Sequence, residues 1–365
     1  MKKILFLISA VILPVVAGCE EKSGMPDYGN GFDVEIKPGY PLDEGDIEQV
    51  TPMTARNDLS AKMTVNGSQI TLSSDKVTKE VKVVLSADTH LVDYDEREAP
   101  YRQYSTRMHA SYSDPAHKII TADADLQQYF RNFIAMAVTE NASAMFSLGD
   151  LFSYPSEYAI EWVQSAVSGT SIPFYLINGN HDWHYEMSPG TPDQIRENWT
   201  DKRLSVLYPE GVDPMCYSVE IDGIRFVLID DSTDEVKLKQ LEFIRTEIAT
   251  GKPIVLLMHV PMYAKGRSYG WSLAYPSWRY NTAPSKNYFD KTYFEGEYAR
   301  SNPMHTNVTK SFYNEVLSAD NVIACIAGHI HASYLDMIND MPMLTIATNY
   351  KNNSYCLTIV PTEQN

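Results

Sequence analysis

Five largely apolar runs punctuate the chain, and each stops at a polar cluster: Val81–Leu85, Ala144–Leu148, Ile172–Ile177, Ile254–Met258 and Val322–Ala327. Runs this short predict buried β-strands rather than helices. They open in turn into Ser86-Ala87-Asp88-Thr89-His90, Gly149-Asp150, Asn178-Gly179-Asn180-His181-Asp182, His259 and Gly328-His329-Ile330-His331. Gly179 lets the backbone bend where the third run ends. Open α/β sheets place their ligands at the carboxyl edge of the strands. Metal-capable side chains delivered to that edge five times over predict a site assembled from distant loops.

Between these runs the periodicity becomes helical. Asp123 to Asn141 puts Leu126, Phe130, Phe133, Ile134 and Val138 on one face, and Tyr158 to Val167 repeats the pattern. Alternation of strand and helix predicts βαβ units in the first half. Beyond Asp182 the chain is richer in strands. Cys216–Ile221 and Ile224–Asp230 flank Asp222-Gly223 as a hairpin, and Glu235–Ile248 and Val308–Leu317 read as helices. Ser333–Ile338, Met343–Ala347 and Tyr355–Val360 read as short strands. Upstream, Lys62–Leu72 alternates around Asn66-Gly67, the signal of an N-terminal hairpin within residues 61–79. The expected fold is mixed α/β: two packed mixed β-sheets flanked by helices, an αββα sandwich covering residues 61–365.

Three stretches fall outside this rhythm. Lys2 and Lys3 precede the apolar run Ile4–Val16, so residues 1–18 read as a secretory signal, too short for the ~20 residues of a bilayer span. The run ends in Val16-Ala17-Gly18-Cys19, which resembles the lipobox of bacterial lipoproteins. That resemblance implies cleavage before Cys19, lipid on its thiol, and a soluble domain tethered in the bacterial cell envelope outside the cytoplasm. Residues 19–60, dense in Gly, Pro, Asp and Glu, predict a tether without a core of its own. Leu91 to Thr121 is a polar stretch long enough to predict a functional or mobile loop. Residues 260–307 form an insertion that mixes aromatics such as Trp271, Trp278 and Tyr288 with Lys265, Arg267, Arg279 and Lys291. Such a mixture suits an organic phosphate, with rings packing and cations meeting oxygens; its other reading is a satellite core under a long loop.

Charge narrows the partners. A net charge of −17 argues against a nucleic-acid surface, which needs a basic stripe. No obligate protein partner is implied. Of the four cysteines, Cys19 is assigned to lipid, which leaves Cys216, Cys325 and Cys356 and no disulfide framework.

Singly, each polar cluster is an ordinary loop. In order, Asp88-x-His90, Gly149-Asp150, Gly179-Asn180-His181-Asp182, His259 and Gly328-His329-x-His331 resemble the calcineurin-like metallophosphoesterases over residues 80–335. The resemblance implies that Asp88, His90 and His331 hold one metal, that Asn180, His259 and His329 hold the other, and that Asp150 bridges. It also implies that a hydroxide shared by the two metals attacks phosphorus and that His181 protonates the leaving oxygen. Carboxylates, an amide oxygen and four imidazoles without thiolate suit two divalent ions of Mn, Fe or Zn. The expected substrate is a small-molecule phosphate ester, mono- or diester. A non-catalytic lipoprotein binding module and a nuclease of the same fold are the alternatives. The sequence departs from protein-phosphatase members at Gly149-Asp150-Leu151-Phe152-Ser153-Tyr154, where Ser153 replaces an Asp that orients the catalytic His and no Arg follows. This argues against a phosphoprotein substrate and leaves Asp182 as the candidate to orient His181. His109, His117, His184 and His305 are expected in structural or surface roles.

Overall fold

The computed structural model describes residues 47–57, 61–93, 124–183, 192–264 and 306–362. The signal segment, Cys19, most of the tether, most of the 91–121 stretch, residues 265–305 and the four histidines at 109, 117, 184 and 305 lie outside the described residues.

In chain order the elements are β1 (Lys62–Asn66), β2 (Gln69–Ser74), β3 (Val81–Ser86), α1 (Leu126–Thr139), β4 (Ala144–Leu148), α2 (Glu157–Ser168) and β5 (Phe174–Ile177). There follow α3 (Pro192–Lys202), β6 (Cys216–Ile221), β7 (Ile224–Ile229), α4 (Leu238–Ala249) and β8 (Ile254–Leu257). The chain closes with α5 (Asn307–Ser318), β9 (Val322–Ala327), β10 (Tyr334–Ile338), β11 (Met341–Thr345) and β12 (Tyr355–Pro361). They build two six-stranded mixed sheets, ordered β1-β2-β12-β3-β4-β5 and β10-β11-β9-β8-β7-β6, flanked by helices.

Strands β3, β4 and β5 run parallel, as do β7, β8 and β9. Parallel strands are covered on both faces, which is why β4, β8 and β9 are buried at every position and apolar almost throughout. Hairpins β1–β2, β6–β7 and β10–β11 supply antiparallel edges. In the second sheet the faces divide with period two. Phe226, Leu228, Val255, Leu257, Ala324 and Ile326 join the core between the sheets. Their neighbours Val227, Ile229, Ile254, Leu256, Cys325 and Ala327 meet Leu241 and Ile244 of α4 and Phe312 and Val316 of α5. Phe146 stacks on Phe226 across the seam at 5.0 Å between ring centroids, and the Tyr217 hydroxyl donates to the Leu176 carbonyl at 2.7 Å. These contacts fix how one sheet sits on the other, and so where their strand ends meet.

Side-chain caps set the helix starts: Asp125 accepts from the Gln128 amide, Ser156 from Ala159 and Thr306 from Thr309. Helix α3 has no counterpart in the sequence reading, because its segment is polar and lacks an apolar stripe. Buried side chains anchor it instead, among them Trp199, Arg196 and Thr200. Residues 47–57 run along α5: the Thr51 amide donates to Ser311 Oγ at 2.9 Å, Asn314 Nδ2 to the Thr51 carbonyl at 2.7 Å, and the Thr54 amide to Ser318 Oγ at 2.8 Å. Polar side chains of the helix thus satisfy the backbone of this segment. No helix among the described residues is long and apolar enough to cross a membrane.

Candidate metal centre

All eight expected site residues lie within the described regions, and seven of them, together with His181, meet where the two sheets' strand ends face each other. The β3 end carries Asp88 and His90, the β4 end Asp150, the β5 end Asn180 and His181, the β8 end His259, and the β9 end His329 and His331. Backbone bonds staple the loops together. The Asp88 amide donates to the Gly149 carbonyl at 2.9 Å, the His90 amide to Asp150 at 2.9 Å, and the Gly328 amide to His259 at 3.0 Å.

The stapled loops are contorted. Asp88, His90, Asp150, His329 and His331 all adopt positive φ, between 49° and 67°. Non-glycine residues seldom occupy this left-handed region, at a cost of about 1–3 kcal/mol each in functional sites. The turn aims each side chain inward. Gly179 is required by close approach, since a Cβ there would lie 2.2 Å from Asp150 Oδ1 and 2.3 Å from the Asp150 amide nitrogen.

The inward atoms form two groups that share one carboxylate. Asp88, His90, Asp150 and His331 make the first, and Asp150, His259 and His329 the second, with the donor atoms of each group within 4.8 Å of one another. Asp150 Oδ2 lies 3.7 Å from His90 Nε2 and 3.4 Å from His259 Nε2. Asn180 adds its Oδ1 to the second group, 3.3 Å from His259 Nε2. His90 Nε2 faces His331 Nε2 at 3.3 Å, and His329 Nδ1 faces His259 Nε2 at 3.2 Å. Facing imidazole nitrogens repel unless a proton or a cation lies among them. With two carboxylates beside them, this donor set fits divalent metals.

Charge coupling runs through the cluster. Burial opposes an ionised Asp150, yet His259, His181 and His90 outweigh it and hold the carboxyl well below its ordinary value. Burial also lowers His259, but Asp150 and Asp88 lift it to about 10. Asp88 raises His331 against its own burial, whereas burial wins at His90 and His181 and lowers both.

A second layer holds these groups in place. His259 Nδ1 donates to the Leu148 carbonyl at 2.8 Å, which turns Nε2 inward. Asp231 Oδ1 accepts from the amides of His259 and Val260 at 3.1 and 3.0 Å. Asp182 does not serve as the partner of His181 that the sequence suggested: its oxygens accept from the amides of Gly179 and Phe152 at 2.7 and 2.9 Å, tying the β4 and β5 loops. His181 Nδ1 instead lies 3.3 Å from the backbone carbonyl of Ser153. The Ser153 hydroxyl donates to the His90 carbonyl at 3.1 Å and lies 3.4 Å from His90 Nδ1. Asp231 and the Ser153 carbonyl escaped the sequence reading because both act on backbone or ring atoms distant in sequence.

The family model described as calcineurin-like phosphoesterase matches residues 81–333. No curated protein matches the sequence. Among solved structures, a dimetal phosphatase from Danio rerio is 12% identical with a TM-score of 0.46, over 74% of this chain and 88% of that one. The purple acid phosphatase PPD1 from yellow lupin seeds is 15% identical with a TM-score of 0.40, over 73% of this chain and 40% of its own. The phosphopantetheinyl hydrolase of Mycobacterium tuberculosis is 10% identical with a TM-score of 0.36, over 74% and 90% of the two chains.

Proposed function

The chain belongs to the calcineurin-like phosphoesterase family, and from that premise we propose that it uses two divalent metal ions to hydrolyse a phosphate ester of a small organic compound. The observation that best supports this reading is the place of Asp150, whose carboxylate belongs to both groups of metal-capable side chains. Asp88, His90 and His331 would hold one ion and Asn180, His259 and His329 the other, with Asp150 common to both. The imidazole-rich, thiolate-free set suits Mn, Fe or Zn. When bound, such a pair supplies Lewis acidity that activates water and neutralises phosphoryl charge.

The remaining work falls to the chain itself. With Nδ1 directed at the Ser153 carbonyl, His181 has Nε2 as the nitrogen that hands a proton to the leaving oxygen. The left-handed turns at Asp88, His90 and Asp150 set the backbone from which these donors project. The same proposal sets the enzyme outside the cytoplasm, anchored by lipid on Cys19, which rests on the Lys2-Lys3 start and the Val16-to-Cys19 stretch.

The test is turnover of p-nitrophenyl phosphate and of its bis-ester by purified protein, with and without Mn²⁺. Metal-dependent release from either supports the proposal and separates mono- from diesterase. No release from either by metal-loaded protein contradicts it and favours a binding module.

A further inference from the structure

The turn that precedes β12 brings one more side chain to the centre. The short helical turn Asn349–Lys351 is stapled under the β3 loop, with the Asn349 amide donating to the Ala87 carbonyl at 2.7 Å and the Tyr350 amide to the Asp88 carbonyl at 3.1 Å. This places Tyr350 against the first ligand group. Its ring meets His331 edge-on, with centroids 5.2 Å apart, and His90 at 5.8 Å. Its hydroxyl oxygen lies 3.3 Å from His331 Nδ1. Tyr350 lies beyond residues 81–333, the span that the family model matches.

An imidazole that offers one nitrogen to a metal generally donates the N–H of the other to an oxygen, which fixes both tautomer and ring plane. His331 Nε2 faces inward, 3.3 Å from Asp88 Oδ1 and 3.3 Å from His90 Nε2. With Nε2 given to an ion, Nδ1 would carry the hydrogen and the phenol oxygen would accept it. His259 is served in the same way by the Leu148 carbonyl. We propose that Tyr350 is a positioning residue of the metal centre, its hydroxyl holding His331 in the tautomer that delivers Nε2 to the ion shared with Asp88 and His90. The inference rests on the metal-centre reading above.

Tyr350→Phe removes one oxygen and keeps the ring against His90 and His331. Mn²⁺ binding by full-length wild-type protein, Tyr350→Phe and His331→Asn is measured calorimetrically, and the melting temperature of each is measured without metal. Two binding events are expected for wild type. Tyr350→Phe should weaken one of them about 10–100-fold, the same event that His331→Asn weakens, while the other event and the metal-free melting temperature stay unchanged. A Tyr350→Phe protein that binds both ions as tightly as wild type overturns the inference alone. Equal weakening of both events with a lower metal-free melting temperature also overturns it, since that marks a general loss of structure. Wild-type protein that takes up no Mn²⁺ overturns the metal-centre reading and this inference with it.

Discussion

The ring of His259 reaches across the seam between the two sheets, its Nδ1 hydrogen-bonded to the carbonyl of Leu148 at 2.8 Å. His259 follows β8 of one sheet, and Leu148 ends β4 of the other. The bond therefore registers the second sheet's loops against the first and turns Nε2 towards Asp150. The packing of the sandwich and the geometry of its centre are one problem, because each of the two metal-capable groups draws side chains from both sheets.

His181 stands apart from the proposed ligands, since its Nδ1 lies against the Ser153 carbonyl and it belongs to neither metal-capable group. His181→Asn should keep Mn²⁺ uptake and reduce turnover by about 10²–10⁴-fold on an ester with a poor leaving group. The loss should shrink for p-nitrophenyl phosphate, whose leaving group needs less help from an acid. A protein that loses its metal instead would remove His181 from this role.

Metal uptake should be linked to pH. His259 is raised to about 10, so its ring carries the extra proton at neutral pH, and His331 is raised in the same direction by Asp88. A metal needs the neutral imidazole, so binding must expel protons. Because these pKa values are raised, the competition persists above the ordinary histidine range and fades as pH climbs towards them. Mn²⁺ affinity should rise with pH, with protons released in calorimetry across buffers of different ionisation enthalpy. Affinity independent of pH, without proton release, would contradict the coupling.

Two glycines should respond differently to alanine. A Cβ at Gly67 meets nothing within 4 Å, so Gly67→Ala carries only the strain of its +59° φ, about 1–2 kcal/mol. A Cβ at Gly179 would strike Asp150 at 2.2 Å. Gly179→Ala should abolish metal uptake, and Gly67→Ala should preserve it, as metal analysis of the two purified variants would show. Full metal content in Gly179→Ala would mean that the β5 loop can yield without disturbing Asp150.

The strand ends were legible because parallel strands buried on both faces leave long apolar runs, and the polar cluster after each run is conspicuous. Asp88, Asp150 and His259 could be picked out in that way, and the two-sheet sandwich followed from the mixture of βαβ units and hairpins. What stayed hidden depends on contacts distant in sequence. The insertion of β12 between β2 and β3 leaves no local mark, since any apolar strand could fill that slot. Helix α3 relies on buried side chains in a polar segment, Trp199, Arg196 and Thr200 among them. Asp231 reads as one more loop carboxylate until it is seen accepting the amides of His259 and Val260.

The anchor has its own test. Cys19→Ser removes the thiol that would carry lipid, so the protein should move from the membrane fraction to the soluble fraction of an expressing bacterium. Retention in the membrane would contradict lipid attachment at Cys19.

Metal stoichiometry of wild-type protein and of Asp150→Asn, by elemental analysis after loading with Mn²⁺, bears most directly on the shared-carboxylate centre. Two ions per wild-type chain and none in Asp150→Asn is the predicted result. A wild-type chain that holds one ion or none, or an Asp150→Asn chain that still holds two, would contradict it.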